Sequence, residues 1–166
     1  MTTTGRMVDP RAARERDAHP GEFVRFSDSK TYFADPREDI RGRKVFDAKG
    51  HALGSVERLI LDNEHHHVRF LEVWTRTGFL GLHRHLSPIP VDAIARVEAD
   101  AVYLERTRQQ VDAAPKVEQD PKALTPEALT SLIRHYGYTP FWKESYVAPL
   151  FHSHHHTPPH LNHHHR

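Results

Sequence analysis

Hydrophobic and polar positions alternate through the middle of the chain, and this period of two predicts β-strands. In residues 68–75, Val68 and Phe70 fall on one face of the strand, and Leu71 and Val73 fall on the other. Both faces are partly apolar, which is typical of a sheet that curls and is covered on its outside. Strands separated by turn signals are predicted at residues 44–46, 53–62, 68–75, 78–91, 96–97 and 102–104. This spacing favours a small β-barrel.

Helical signals follow the predicted barrel. Thr107 and Gln110 have the spacing of a capping box, in which each side chain can bond the backbone amide of the other residue. A second helix is predicted from the N-cap Thr125, with Pro126 at its first helical position and Gly137 as its stop. Its apolar face must pack on the barrel or on a partner, and consists of Leu129, Leu132, Ile133 and Tyr136.

These patterns predict a mainly β fold that is divided into four segments. Residues 1–38 form an N-terminal arm, in which an aromatic strap at residues 23–33 lies along the barrel or along a partner. The barrel covers residues 39–115 and is expected to fold without its arms. Residues 116–150 supply the C-terminal helix and an aromatic loop, and residues 151–166 form a histidine-rich tail.

Composition and charge exclude several classes of protein. The chain has 23 Lys and Arg against 22 Asp and Glu, and this balance holds locally, whereas a nucleic-acid binder concentrates basic charge on one face or tail. There is no cysteine, and therefore neither a disulfide nor a thiolate metal site. No apolar run reaches the ~20 residues that span a bilayer, and the N-terminal segment lacks the apolar core of a secretory signal. We expect a cytoplasmic protein, soluble or peripheral on the cytoplasmic side of the inner membrane.

The sequence carries no pattern that predicts catalysis. A glycine-rich phosphate loop, a catalytic cysteine and a zinc-protease helix motif are all missing from it. Its serines lack the strand–turn–helix context of a nucleophile elbow. Carboxylates are spread among basic residues, which is typical of solvated ion pairs. We therefore expect a protein that is not an enzyme and that requires no cofactor.

Histidines form three clusters that could bind a metal or be solvated surface. His65 and His67 share one strand face in a turn region, as do His83 and His85 if their segment is extended. Such pairs can ligate zinc when a third or fourth ligand is near. The weak hypothesis is that a divalent metal ion binds loosely to histidines of these clusters. The candidate ligands are His83, His85 and the tail residues His154, His155, His156, His163, His164 and His165.

Turn and strand positions together carry a family resemblance. They are Gly42, Asp47, Gly50, Gly54, Val56 and Asp62, followed by residues 68–71, 78–82, 89–94 and 107–115. In this combination the chain resembles the PRC-barrel family, named for the cytoplasmic domain of the photosynthetic reaction centre H subunit. H subunits carry a membrane-spanning helix before the barrel, and ribosome maturation factors of this family carry an additional N-terminal β-domain. Neither pattern is present in this sequence.

The resemblance implies a docking role on a larger complex. We expect a non-enzymatic scaffold or accessory subunit on the cytoplasmic face of a membrane complex of reaction-centre type, peripheral to the membrane through its protein partner and without nucleic acid. The alternatives are a soluble metal-binding or stress-related PRC-barrel protein and, disfavoured by charge, a ribosome-associated factor. The predicted partner-binding residues are Phe23, Phe26, Tyr32, Phe33, Tyr138, Phe141 and Trp142.

Overall fold

The computed structural model describes residues 21–28, 32–77, 79–117, 124–143 and 145–147. Within these ranges the chain is mainly β, with two short α-helices after the strands, and the predicted fold class is confirmed. The strands are β1 (Phe23–Arg25), β2 (Lys44–Phe46), β3 (Ala52–Asp62), β4 (Val68–Thr77), β5 (His83–Pro90), β6 (Ile94–Val97) and β7 (Ala101–Leu104). The helices are α1 (Arg108–Asp112) and α2 (Pro126–Tyr136).

One mixed sheet contains all seven described strands. Its hydrogen-bonded path runs β5-β4-β3-β2-β7-β6, and β1 pairs with β3 beside that path. The long strand β3 makes this possible, because β2 pairs with its first residues and β1 with its last residues. All pairs are antiparallel except β2 with β7. The four-segment division of the chain stays a prediction.

The β4–β5 hairpin is the most regular pair in the sheet. Its register runs without a bulge from Phe70 opposite Pro90 to Thr77 opposite His83. The prediction that a strand region opens at residue 78 is wrong, because Phe79–Gly81 forms a 3-10 turn. Leu80 and Gly81 have φ angles of 57° and 64°, which extended backbone does not adopt. Strand β5 therefore begins at His83.

Aromatic residues of the N-terminal strap lie in the hydrophobic core. Strand β1 pairs with β3, and Phe23, Phe26 and Phe33 are each only 8% exposed. Phe26 stacks on Phe33 with ring centroids 4.6 Å apart, and Phe23 meets Phe70 edge to face at 6.0 Å. The described residues of the strap thus lie along the chain's own sheet. The sequence also predicts that these three side chains bind a partner, but their burial in the core leaves little side-chain surface for that contact.

Both helices begin, and α2 also ends, as their sequences predict. Thr107 and Gln110 form the full capping box of α1, and Thr125 accepts a hydrogen bond from the amide of Ala128 at the start of α2. Gly137 ends α2 in the left-handed conformation, with φ 78°. The apolar face of α2 is buried and the helix packs against β5, so the barrel covers this face. No helix in the described ranges is long and apolar enough to cross a membrane.

Candidate functional site

The turn between β4 and β5 exposes a group of large apolar side chains, here called the tip. Its residues Phe79, Leu80 and Leu82 are 81%, 80% and 73% exposed. Other large hydrophobic side chains exposed in the described ranges are Tyr32 and Val147, and they lie on different segments. A contiguous apolar group at the end of a regular hairpin is typical of an interaction surface.

Leu80 also holds a backbone conformation that its side chain does not favour. A non-glycine residue at φ 57° costs roughly 1–2 kcal/mol relative to the right-handed region. Neither burial of its side chain nor a core contact offsets that cost, because the side chain projects into solvent. Strain of this kind in an exposed turn often accompanies function.

Two arginines stand directly below the tip, on facing strands. Arg76 of β4 is opposite Arg84 of β5, and this pair is adjacent to Thr77–His83, the last pair before the turn. Like charges directly opposite each other destabilise a sheet. The Arg84 guanidinium lies over the Trp74 ring at 4.3 Å, a cation–π contact that holds it against the sheet.

A shallow cleft of about 440 Å³ opens beside this pair. Arg76, Arg84 and Arg108 line it, together with Trp74, and Glu57 is the single carboxylate among its described lining residues. The Arg108 guanidinium donates a hydrogen bond to the carbonyl oxygen of Ala52. We call this group the arginine cleft. Three positive charges face one negative charge in it.

The remaining predicted partner-binding residues are only partly available. Phe141 is half-buried, 6.0 Å from Phe23 and beneath the Arg69 guanidinium at 3.8 Å. Trp142 is half-buried against Phe141. Tyr32 is exposed. Tyr138 is half-buried.

Polar contacts fix this C-terminal segment on the sheet. Tyr138 donates to Glu105 at 2.5 Å and lies under the Arg106 guanidinium, and burial together with the Glu105 bond raises the pKa of its phenol. Tyr146 donates to Asp92 at 2.9 Å. Burial raises the pKa of the Asp92 carboxyl, although the Tyr146 hydrogen bond acts against it. The aromatic loop therefore covers the sheet rather than projecting from it.

Two of the predicted metal-binding histidines, His83 and His85, lie in strand β5 but not in a metal site made of described residues. His83 is exposed, and the Nε2 atom of His85 lies 2.8 Å from the Lys116 ammonium. Burial, and then the charge of Lys116, lowers the pKa of His85. In the ranges the structure describes, no group of three His, Cys, Asp or Glu residues could hold a metal ion. The tail histidines lie outside the described residues, and the metal hypothesis stays a prediction.

Sequence reasoning missed both the tip and the arginine cleft. The apolar pattern predicts a strand at residues 79, 80 and 82, although Gly81 among them signals a turn. A turn centred on residue 80 would have placed Arg76 opposite Arg84, because paired positions in a hairpin are equidistant from its centre. Arg108 lies on another element, and nothing in the local sequence connects it with this pair.

Comparison with known proteins agrees with the fold. The family model of the PRC-barrel domain matches residues 35–111. The matched range begins before β2 and ends inside α1, and it includes the tip and the arginine cleft. Comparison with curated proteins finds no match for the chain.

Proposed function

Since residues 35–111 form a PRC-barrel domain, we propose that the chain is a non-enzymatic accessory protein that docks on a membrane-associated protein complex. The complex we propose is of photosynthetic reaction-centre type, and the docking surface faces its cytoplasmic side. The resemblance to reaction-centre H subunits supports this choice of partner. The observation that carries the docking role is the exposed apolar tip.

The tip has the physical properties of an interface anchor. Burying the side chains of Phe79, Leu80 and Leu82 in a partner would contribute roughly 1.5–3 kcal/mol each. The regular β4–β5 hairpin already fixes the backbone on both sides, so little conformational entropy is lost on binding. Anchors of this type dominate interface energies.

The aromatic loop is a weaker candidate for the docking surface. Phe141 makes its main contacts with Phe23 and Arg69 of the same chain. Its replacement would therefore alter the stability of the isolated protein as well as any interface. The tip is free of this complication, because its side chains are exposed.

Co-purification from native membranes tests the proposal. We expect Phe79→Ser, Leu80→Ser and Leu82→Ser together to leave the melting temperature within a few degrees of the original, because no core contact is removed. The same variant should lose the partner complex, since it removes three anchors that each contribute roughly 1.5–3 kcal/mol of binding. Val147→Ser, an equally exposed apolar position on another segment, serves as the control and should retain the complex. Retention of the complex by the triple variant would refute docking through the tip.

A further inference from the structure

The arginine cleft has no role in the docking proposal, and its three positive charges face a single carboxylate among the described lining residues. We propose that Arg76, Arg84 and Arg108 bind a phosphoryl group that carries two negative charges. This site is separate from the apolar tip, and the inference does not depend on which protein the chain docks to.

Uncompensated charge distinguishes these arginines from many others in the fold. Among the described residues, Arg76, Arg84 and Arg108 form no ion pair with a carboxylate, and Glu57 at the cleft makes none either. Elsewhere carboxylates lie 2.7–3.2 Å from the guanidinium nitrogens of Arg25, Arg37, Arg41, Arg69, Arg96 and Arg106. In the cleft, by contrast, three guanidinium groups line one cavity and none has a carboxylate partner among the described residues.

The sheet tolerates an unfavourable arrangement at this point. Arg76 and Arg84 are directly opposite each other, which places their Cβ atoms about 5 Å apart. Repulsion between the two guanidinium groups lowers the stability of the empty hairpin. A bound dianion would reverse the sign of this interaction, because both arginines would then attract the same group.

Local contacts orient the cleft before a ligand arrives. Trp74 supports the Arg84 guanidinium through its ring face, and the carbonyl of Ala52 holds the Arg108 guanidinium. Gly54 forms part of the wall, and its backbone approaches that of Trp74 so closely that a Cβ atom there would lie 2.0 Å from the Trp74 carbonyl oxygen. Less ordering of the side chains is then needed on binding.

The number and placement of the guanidinium groups favour a phosphoryl group over a carboxylate. One carboxylate has a single charge and two oxygens, and one guanidinium fork satisfies it. A phosphate monoester carries a charge of about −1.5 to −2 and three acceptor oxygens, so it can bridge forks that come from different strands. The pair on β4 and β5, with Arg108 beside it, fits that bridging geometry.

The phosphoryl group could belong to either of two ligands, and both would make the same contacts with the arginines. One is a free oligophosphate in solution. The other is a phosphate-monoester lipid, whose head group would meet the arginines at a membrane surface. Binding measurements with each source separate them.

The first experiment titrates the full chain with sodium tripolyphosphate by calorimetry. We expect measurable binding that weakens at least tenfold in Arg76→Gln/Arg84→Gln, because a charge-assisted bond to an oxyanion is worth about 1.5–3 kcal/mol and 1.4 kcal/mol is a factor of ten. Arg37→Gln/Arg134→Gln removes the same charge from exposed positions and should bind as the original does. Arg76→Lys/Arg84→Lys, which keeps the charge but loses the forks, should bind with intermediate affinity.

A second readout uses the stability of the empty protein. Arg76→Gln should raise its melting temperature, because the like-charge pair is removed, while the same change weakens tripolyphosphate binding. A purely structural arginine would lower the melting temperature when replaced. An unchanged or lower melting temperature, with binding of tripolyphosphate unaltered, contradicts the proposal.

The third experiment uses phosphatidylcholine vesicles with and without phosphatidic acid. Sedimentation of the chain only with vesicles that contain phosphatidic acid, lost in Arg76→Gln/Arg84→Gln and retained by the triple tip variant, identifies the lipid source. If the chain binds tripolyphosphate but does not sediment with either kind of vesicle, the ligand is a free oligophosphate. Failure to bind either probe, affinity for oligo-glutamate equal to that for tripolyphosphate, or full binding by the double glutamine variant would each overturn the proposal. None of these results depends on co-purification with a protein complex.

Discussion

At the scale of single residues, Asp47 joins two parts of the fold that are distant in sequence. Its buried carboxylate accepts hydrogen bonds from the backbone amides of Lys49, His51 and Arg108, at 3.0, 2.7 and 3.0 Å. The first two amides belong to the turn between β2 and β3, and the third lies at the start of α1. Burial alone raises the pKa of Asp47, but the amides of Arg108 and His51 outweigh it and lower the pKa to about 2.

This carboxylate makes part of the stability depend on pH. The folded state lowers the pKa of Asp47 from 3.8 to about 2, so its stabilising contribution is complete above pH 4 and is lost as the pH falls toward 2. We expect Asp47→Asn to cost ~2–3 kcal/mol at pH 7, because the bonds to a charged acceptor are replaced by weaker ones. Urea unfolding at pH 7 and pH 2.5 measures this. The difference in unfolding free energy between Asp47→Asn and the original protein should be smaller at pH 2.5 than at pH 7. Asp100→Asn, at an exposed position, should leave the unfolding free energy unchanged at both pH values. A gap that is constant with pH would contradict the role of the charge.

Gly54 is required for a different physical reason, the close approach of two backbones. An added Cβ would lie 2.0 Å from the Trp74 carbonyl oxygen, so strands β3 and β4 would have to separate. We expect Gly54→Ala to cost more than ~2 kcal/mol in chemical denaturation. Gly50→Ala provides the matched comparison, because Gly50 has φ 83° and nothing within 4 Å of the new atom. It should cost only about 1 kcal/mol, the penalty of the left-handed conformation. Equal costs would show that the contact with Trp74 relaxes freely.

At the scale of elements, features fixed by neighbouring residues were predictable and features fixed across the sheet were not. The capping box at Thr107, the N-cap at Thr125 and the stop at Gly137 depend on residues within one turn, and the structure has all three. Burial of Phe23 depends on pairing β1 with a strand almost forty residues away, information that local periodicity does not contain. The arginine cleft is of the second kind, because balanced charge along the chain conceals which arginines meet.

Helix α2 is an element whose contribution can be measured directly. Leu132 is fully buried at the contact between α2 and the sheet, while its neighbour Ser131 is exposed. We expect Leu132→Ala to reduce the free energy of unfolding by ~2–5 kcal/mol, through lost burial and the cavity that remains. Ser131→Ala should stay within about 0.5 kcal/mol of the original. A small effect at Leu132 would mean that α2 contributes little to the stability of the sheet and can detach from it easily.

At the scale of the whole molecule, one hydrophobic core extends beyond the PRC-barrel domain. Phe23, Phe26 and Phe33 enter it before the domain, and buried residues of α2 enter it afterwards. Leu129 and Leu132, both fully buried, belong to the same cluster as Phe70 on β4. The flanking segments are therefore structural parts of the described fold, whereas the sequence left open whether the strap and the helix pack on the barrel or on a partner.

This shared core sets the expected stability of the isolated barrel segment. Residues 39–115 retain the central strands and should still show β-type circular dichroism, but they lose the cover supplied by β1 and α2. Each fully buried large side chain contributes roughly 1.5–3 kcal/mol, and domains of this size have only about 5–15 kcal/mol in total. We expect the segment 39–115 to lose more than half of the unfolding free energy of residues 21–147 and to bind a hydrophobic dye. Urea denaturation of both fragments gives the comparison, with residues 1–166 as the reference. Equal unfolding free energies for 39–115 and 21–147 would mean that the strap and α2 only rest on a self-sufficient barrel, and their faces would then be open to a partner.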